Sequence, residues 1–183
     1  MSKAPTSPVA PVDGKKLLRT IRRFQRESLA GAYYAPFNMN SKNYRYIPPE
    51  TEAWFDRLGE LLASSAQLTK QKDHQLATAC FGLLFELIDA MESGKEIVFA
   101  DEYGSWMIPG DEKRFTSAYL RSLAATATPE AFAAVTVPLI RRDGGQSFAS
   151  EVCQSAVRVA TKEQRAFLEA EIDRQEIKTK RTA

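Results

Sequence analysis

Cysteine and histidine are scarce: Cys80, Cys153 and His74 are the only ones in 183 residues. A structural zinc site takes four Cys or His ligands, usually in close pairs. Three such residues without a CxxC or HxxxH spacing cannot supply one, so no metal is expected. Two cysteines in separate apolar helical patterns read as small buried hydrophobes, not as a disulfide framework. A Ser-His-Asp or Cys-His catalytic site would have to use His74, which sits near a helix start as a surface residue. No GxGxxG, GxxxxGK[ST], HExxH or GxSxG motif occurs, so the common nucleotide, zinc-protease and hydrolase signatures are excluded and no cofactor is expected.

Long apolar runs are missing too. The longest, Leu76 to Met91, carries Glu86 and Asp89 and is shorter than a membrane span. The first residues, Met-Ser-Lys-Ala-Pro-Thr-Ser-Pro, hold no apolar signal core. No membrane contact and a reducing, cytoplasmic setting are expected. Nine glycines and nine prolines are too few for a low-complexity chain.

What the sequence does contain is helical periodicity. Residues 1–14, with Pro5, Pro8 and Pro11, read as a disordered tail. One helical domain is expected over 15–178, then a frayed basic tail over 179–183. A first helix over 15–29 places Leu17, Leu18, Ile21, Phe24 and Leu29 on one side. Lys15, Lys16, Arg19, Arg22, Arg23 and Arg26 fall on the other. A second helix starts after Pro48-Pro49 and a third near the N-cap candidate Asp73, nearly apolar all round and therefore central. The fourth spans about 111–127. A fifth restarts at Thr128-Pro129-Glu130, with Pro138 expected to kink or shorten it. A sixth precedes the capping box Thr161-Lys-Glu-Gln164, and a seventh fades near Ile177. Residues 96–108 change period and predict a small β-hairpin with its turn at Asp101-Glu102-Tyr103-Gly104. The fold class is thus all-α: about seven helices in antiparallel pairs, either a HEAT- or TPR-like array or a compact bundle, with one hairpin insert.

Charge is unevenly spread. Residues 1–49 hold nine Lys or Arg against two Asp or Glu, residues 50–112 hold four against thirteen, and residues 113–183 hold twelve against eight. The simplest expectation is that these blocks neutralise one another within the fold; the other is that they steer a charged partner.

Four candidate sites follow. The basic face of the first helix suits phosphates or an acidic protein. The segment 32–49 holds four of the six tyrosines and all three asparagines. In it Tyr33, Tyr34, Phe37, Tyr44, Arg45 and Tyr46 combine aromatic and cationic groups typical of interface anchors. The hairpin tip Asp101, Glu102 and Tyr103, with Trp106 beside it, suits a basic partner. Glu86 and Asp89, three apart on one helix face, suit acid-base chemistry or a buried pairing with Arg114 or Arg121. Together these features predict a non-catalytic interaction module that binds a protein partner or itself as a homo-oligomer. The alternative is a nucleic-acid-binding protein that uses the basic helix and the aromatic segment.

Overall fold

The computed structural model describes residues 10–30, 49–95, 112–142 and 146–181. Seven helices occur among them and no strand. They are α1 (Gly14–Leu29), α2 (Pro49–Lys70), α3 (His74–Lys95), α4 (Glu112–Thr126), α5 (Pro129–Arg142), α6 (Gln146–Val159) and α7 (Lys162–Arg181). The hairpin read over 96–108 lies outside the described residues, and nothing in the structure supports it.

The all-α expectation holds, and the chain's own residues explain it. Asp13 caps α1: its side chain accepts from the Lys16 N–H at 3.0 Å. That bond, a second from the Lys15 backbone and the nearby Arg19 and Lys16 charges hold its carboxyl below the usual range. Residues 10–14 are therefore not part of a disordered tail. The Val12 N–H donates to Gln71 Oε1 at 2.9 Å and Gln71 Nε2 donates back to the Val12 carbonyl at 3.3 Å. Gly14 is buried against α3. A Cβ there would lie 2.7 Å from Leu76 Cδ1, so any larger residue would push the Leu76 side chain aside.

The α2–α3 connection is one tight turn. The Asp73 N–H donates to the Leu68 carbonyl and the Lys72 N–H to the Thr69 carbonyl. This is a Schellman motif, with Lys72 at φ 64° where glycine is usual. Asp73 then caps α3, accepting from the Leu76 N–H at 3.4 Å.

α3 is the central element and packs against α1, α2 and α4. Ala77, Cys80, Phe81, Leu84, Leu87 and Ile88 are fully buried on it. Leu58, Leu62, Leu120, Phe132 and Leu168 carry one apolar core from α2 to α7. Each such side chain contributes roughly 1.5–3 kcal/mol by leaving water. Cys80 is in this core as expected, but Cys153 is only half-buried.

Pro138 lies inside α5, which runs to Arg142. The proline costs one internal hydrogen bond, which buried Phe132, Val137 and Leu139 on both sides offset. One further expectation needs correction: α7 does not fade near Ile177 but continues to Arg181. The 179–183 tail thus begins inside a helix.

Candidate functional site

The basic helix is where the sequence places it. At 100° per residue the buried Gly14, Leu17, Ile21, Phe24 and Ser28 of α1 fall within an arc of about 80°. Lys15, Lys16, Arg19, Arg22, Arg23 and Arg26 fall within an opposite arc of about 120°. All six are exposed, and they run about 16 Å along the axis. No acid lies inside this arc. Glu27 stands at its edge and reaches Arg23 at 4.0 Å, with Arg23 65% exposed; a pair that open contributes little.

Beside this edge a hollow of about 260 Å³ lies between α1 and α2. Phe24 and Trp54 line it, their rings stacked 5.6 Å apart, with Arg23 and Arg57 at its rim. Trp54 Nε1 donates to Ser28 Oγ at 2.7 Å, so the helix pair is fixed by a buried polar contact as well as by apolar packing. Gln25 Nε2 ties α1 to the Leu83 carbonyl of α3 at 3.2 Å.

The ion pairs among the described residues join Arg23 to Glu27, Arg57 to Glu60 and Arg174 to Glu171, each within one helix. The cations of α1 face outward while the central helix packs on its opposite side.

Glu86 and Asp89 correct another expectation. They are exposed, not buried, and Glu86 makes no ion pair with Arg114 or Arg121 among the described residues. Exposure explains this: a solvated carboxylate needs no counter-ion. The two acids line an open cleft of about 400 Å³ between α3, α4 and α5. Gly82 and Phe85 share its α3 wall, Tyr119 enters from α4, and Val135, Pro138 and Leu139 close the α5 side. The i, i+3 spacing of the acids was readable in the sequence. The approach of Tyr119 and Pro138 was not, because it depends on how α4 and α5 pack.

The remaining candidates are quickly placed. Tyr33, Tyr34, Phe37, Tyr44, Arg45 and Tyr46 lie outside the described residues, as do Asp101, Glu102, Tyr103 and Trp106. His74 is half-buried, with Nδ1 3.4 Å from Ser122 Oγ. No group of three or more His, Cys, Asp or Glu placed to hold a metal occurs among the described residues. Among the same residues no helix is long and apolar enough to cross a membrane.

Comparison with known proteins returns no matching family model, no matching curated relative and no matching solved structure, so the site geometry is the only guide to function.

Proposed function

We propose that this chain is a non-catalytic helical interaction module that engages an acidic protein surface through the basic face of α1. One observation carries the reading: six exposed cations share one arc, with no acid inside it. A purely structural helix face gains most from mixed signs, because like charges one turn apart repel. Charges of one sign instead steer encounter with a partner of the other sign. The Phe24–Trp54 hollow at the edge of the arc gives such a partner a place for an apolar side chain. A repeat-like helical array suits the role, and the contacts of α1 with α3, α2 with α4, α4 with α6 and α5 with α7 support it.

A nucleic-acid partner is the second reading, favoured by one feature. Four of the six cations are arginines, at positions 19, 22, 23 and 26, and arginine forks match phosphate oxygens.

Affinity capture from the native extract tests both readings, with and without nuclease, using the wild type and the Arg22→Glu/Arg23→Glu variant. Both sites are exposed, so the variant should keep its stability to within about 0.5 kcal/mol. A nuclease-resistant protein retained by the wild type and lost by the variant is the expected result. Material lost on nuclease treatment, bound with a log–log salt slope near about −5 for six phosphate contacts, supports the second reading instead. Equal capture by both chains refutes the role of α1 in either.

A further inference from the structure

We infer that the cleft between α3, α4 and α5 is a binding site for a small organic amine, its ammonium held by Glu86 and the Tyr119 hydroxyl and its apolar body lying against Phe85 and Pro138. This site is independent of the basic face of α1. Leu76 turns toward Gly14 of α1, whereas the cleft-lining residues of α3 are centred about 130° further round that helix.

Three features converge on this ligand class. The first is the Tyr119 hydroxyl. Tyr119 is only 5% exposed, yet its hydroxyl has no hydrogen-bond partner among the described residues. It lies over Gly82 at the cleft wall, where a Cβ on Gly82 would stand 3.7 Å away. The ring is buried, but the hydroxyl is not among the buried polar atoms, so its open side meets solvent in the cleft. The second is charge. Among the described residues the cleft lining holds two carboxylates and no cation. Glu86 makes no ion pair among the described residues, so its carboxylate is available to a ligand. The third is the apolar wall. The Phe85 and Tyr119 rings stack at 5.3 Å and 14°, and Val135, Pro138 and Leu139 face them. An aromatic face beside carboxylates favours a cation with an apolar body over a metal ion, which would want several oxygens.

The binding geometry then follows from donor and acceptor chemistry. An ammonium has only donors: one N–H goes to Glu86 and another to the Tyr119 oxygen. Burial first, then the Glu86 and Asp89 charges, push the Tyr119 pKa up to about 12. The phenol therefore stays neutral and able to accept at ordinary pH.

The test titrates the full chain with phenethylammonium, phenethyl alcohol and a capped Ala-Ala-Lys-Ala-Ala peptide, following backbone amide shifts by NMR. A nine-heavy-atom amine in an open cleft should bind with a Kd in the millimolar range. Saturable shifts centred on residues 82–89 and 135–139 are expected with the amine. The neutral alcohol should bind about tenfold more weakly, the loss of one charge-assisted contact. Glu86→Gln should weaken the amine by about the same factor and leave the alcohol unchanged. Tyr119→Phe, which keeps the ring, should weaken the amine several-fold. Equal affinities for amine and alcohol, or no saturable shift in this region, overturn the proposal. So does binding of the lysine peptide in preference to phenethylammonium, which would make the cleft a peptide site.

Discussion

Gln164 holds together three pieces of the fold, and its replacement gives a sharp test of the structure. It is 3% exposed. Its Oε1 accepts from the Thr161 N–H at 2.9 Å, and its own N–H donates to Thr161 Oγ1 at 3.2 Å, which completes a capping box. Its Nε2 then donates to the Ala124 carbonyl at 3.0 Å and the Ala127 carbonyl at 3.1 Å. Those carbonyls lie at and just past the end of α4, where a helix runs out of partners. Gln164→Ala removes three side-chain bonds of about 1 kcal/mol each, for a loss of about 3 kcal/mol. At this chain length that lowers Tm by roughly 6–12 °C. Gln164→Glu separates the cap from the bridge. A glutamate still accepts from Thr161, but its carboxylate faces two carbonyl oxygens, which raises its folded pKa above the unfolded value of about 4.3. The cost is therefore full above the folded pKa and disappears below the unfolded one. Urea unfolding followed by circular dichroism should show the glutamate variant at least as damaged as the alanine variant at pH 7 and recovering near pH 4 relative to the wild type. A glutamate variant as stable as the wild type at pH 7 would refute the bridge to α4.

Two further outcomes follow from buried groups. Trp54→Phe orphans the Ser28 hydroxyl and Ser28→Ala orphans the indole N–H, both in the core. Each should cost about 1–3 kcal/mol, and the double variant should lose less than the sum of the two, by about 1 kcal/mol in a double-mutant cycle; strict additivity would mean that the pair does not interact. Burial, the dominant cause, and the nearby Asp73 charge push the Cys80 thiol up from 9.0 to about 11. The folded chain then keeps a proton that the unfolded chain releases, so stability is full below pH 9 and falls as pH rises toward 11. Cys80→Ala should flatten the unfolding free energy over that window, and an unchanged slope would count against a buried neutral thiol.

The helices were readable because their signals are local. The alternation of Leu17, Ile21 and Phe24 with cations, the Thr128-Pro129 restart and the Thr161–Gln164 box each lie within one or two turns, and each marks a boundary the structure keeps. The turn at Lys72 was less visible because a lysine occupies the left-handed position and no glycine marks it. Contacts between distant positions left no trace in the sequence. The Thr161 box predicts that Gln164 caps α7, but nothing in the spacing shows its amide reaching α4, 40 residues away. Tyr119 reads as one more apolar position in the stripe of α4. Only the packing of α3 against α4 turns its hydroxyl toward a cleft. The spacing of Glu86 and Asp89 puts them on one face, but a helix apolar almost all round does not show that this face is exposed. The polar part of a central helix is narrow, and it is the part left facing solvent.

That last point connects the fold to its surfaces. Most polar side chains in the core are spent on structure. Thr69 meets Ser122 at 2.8 Å, Ser65 bonds back to the Leu61 carbonyl, and Ser28 and Gln164 hold helices together. Against this background the exceptions cluster. The Thr116 and Thr136 hydroxyls are buried with no partner among the described residues, and the Tyr119 hydroxyl, open to the cleft, makes no hydrogen bond among them. All three belong to α4 and α5, the helices that flank the cleft. A polar group that a fold does not use internally either costs stability or meets something else. The six cations of α1 are exposed to water, so a partner's affinity reveals their role. Tyr119 is different, because its ring is buried and its hydroxyl meets the cleft. A ligand bound there should stabilise the fold by mass action, and that rise in Tm should shrink in Tyr119→Phe.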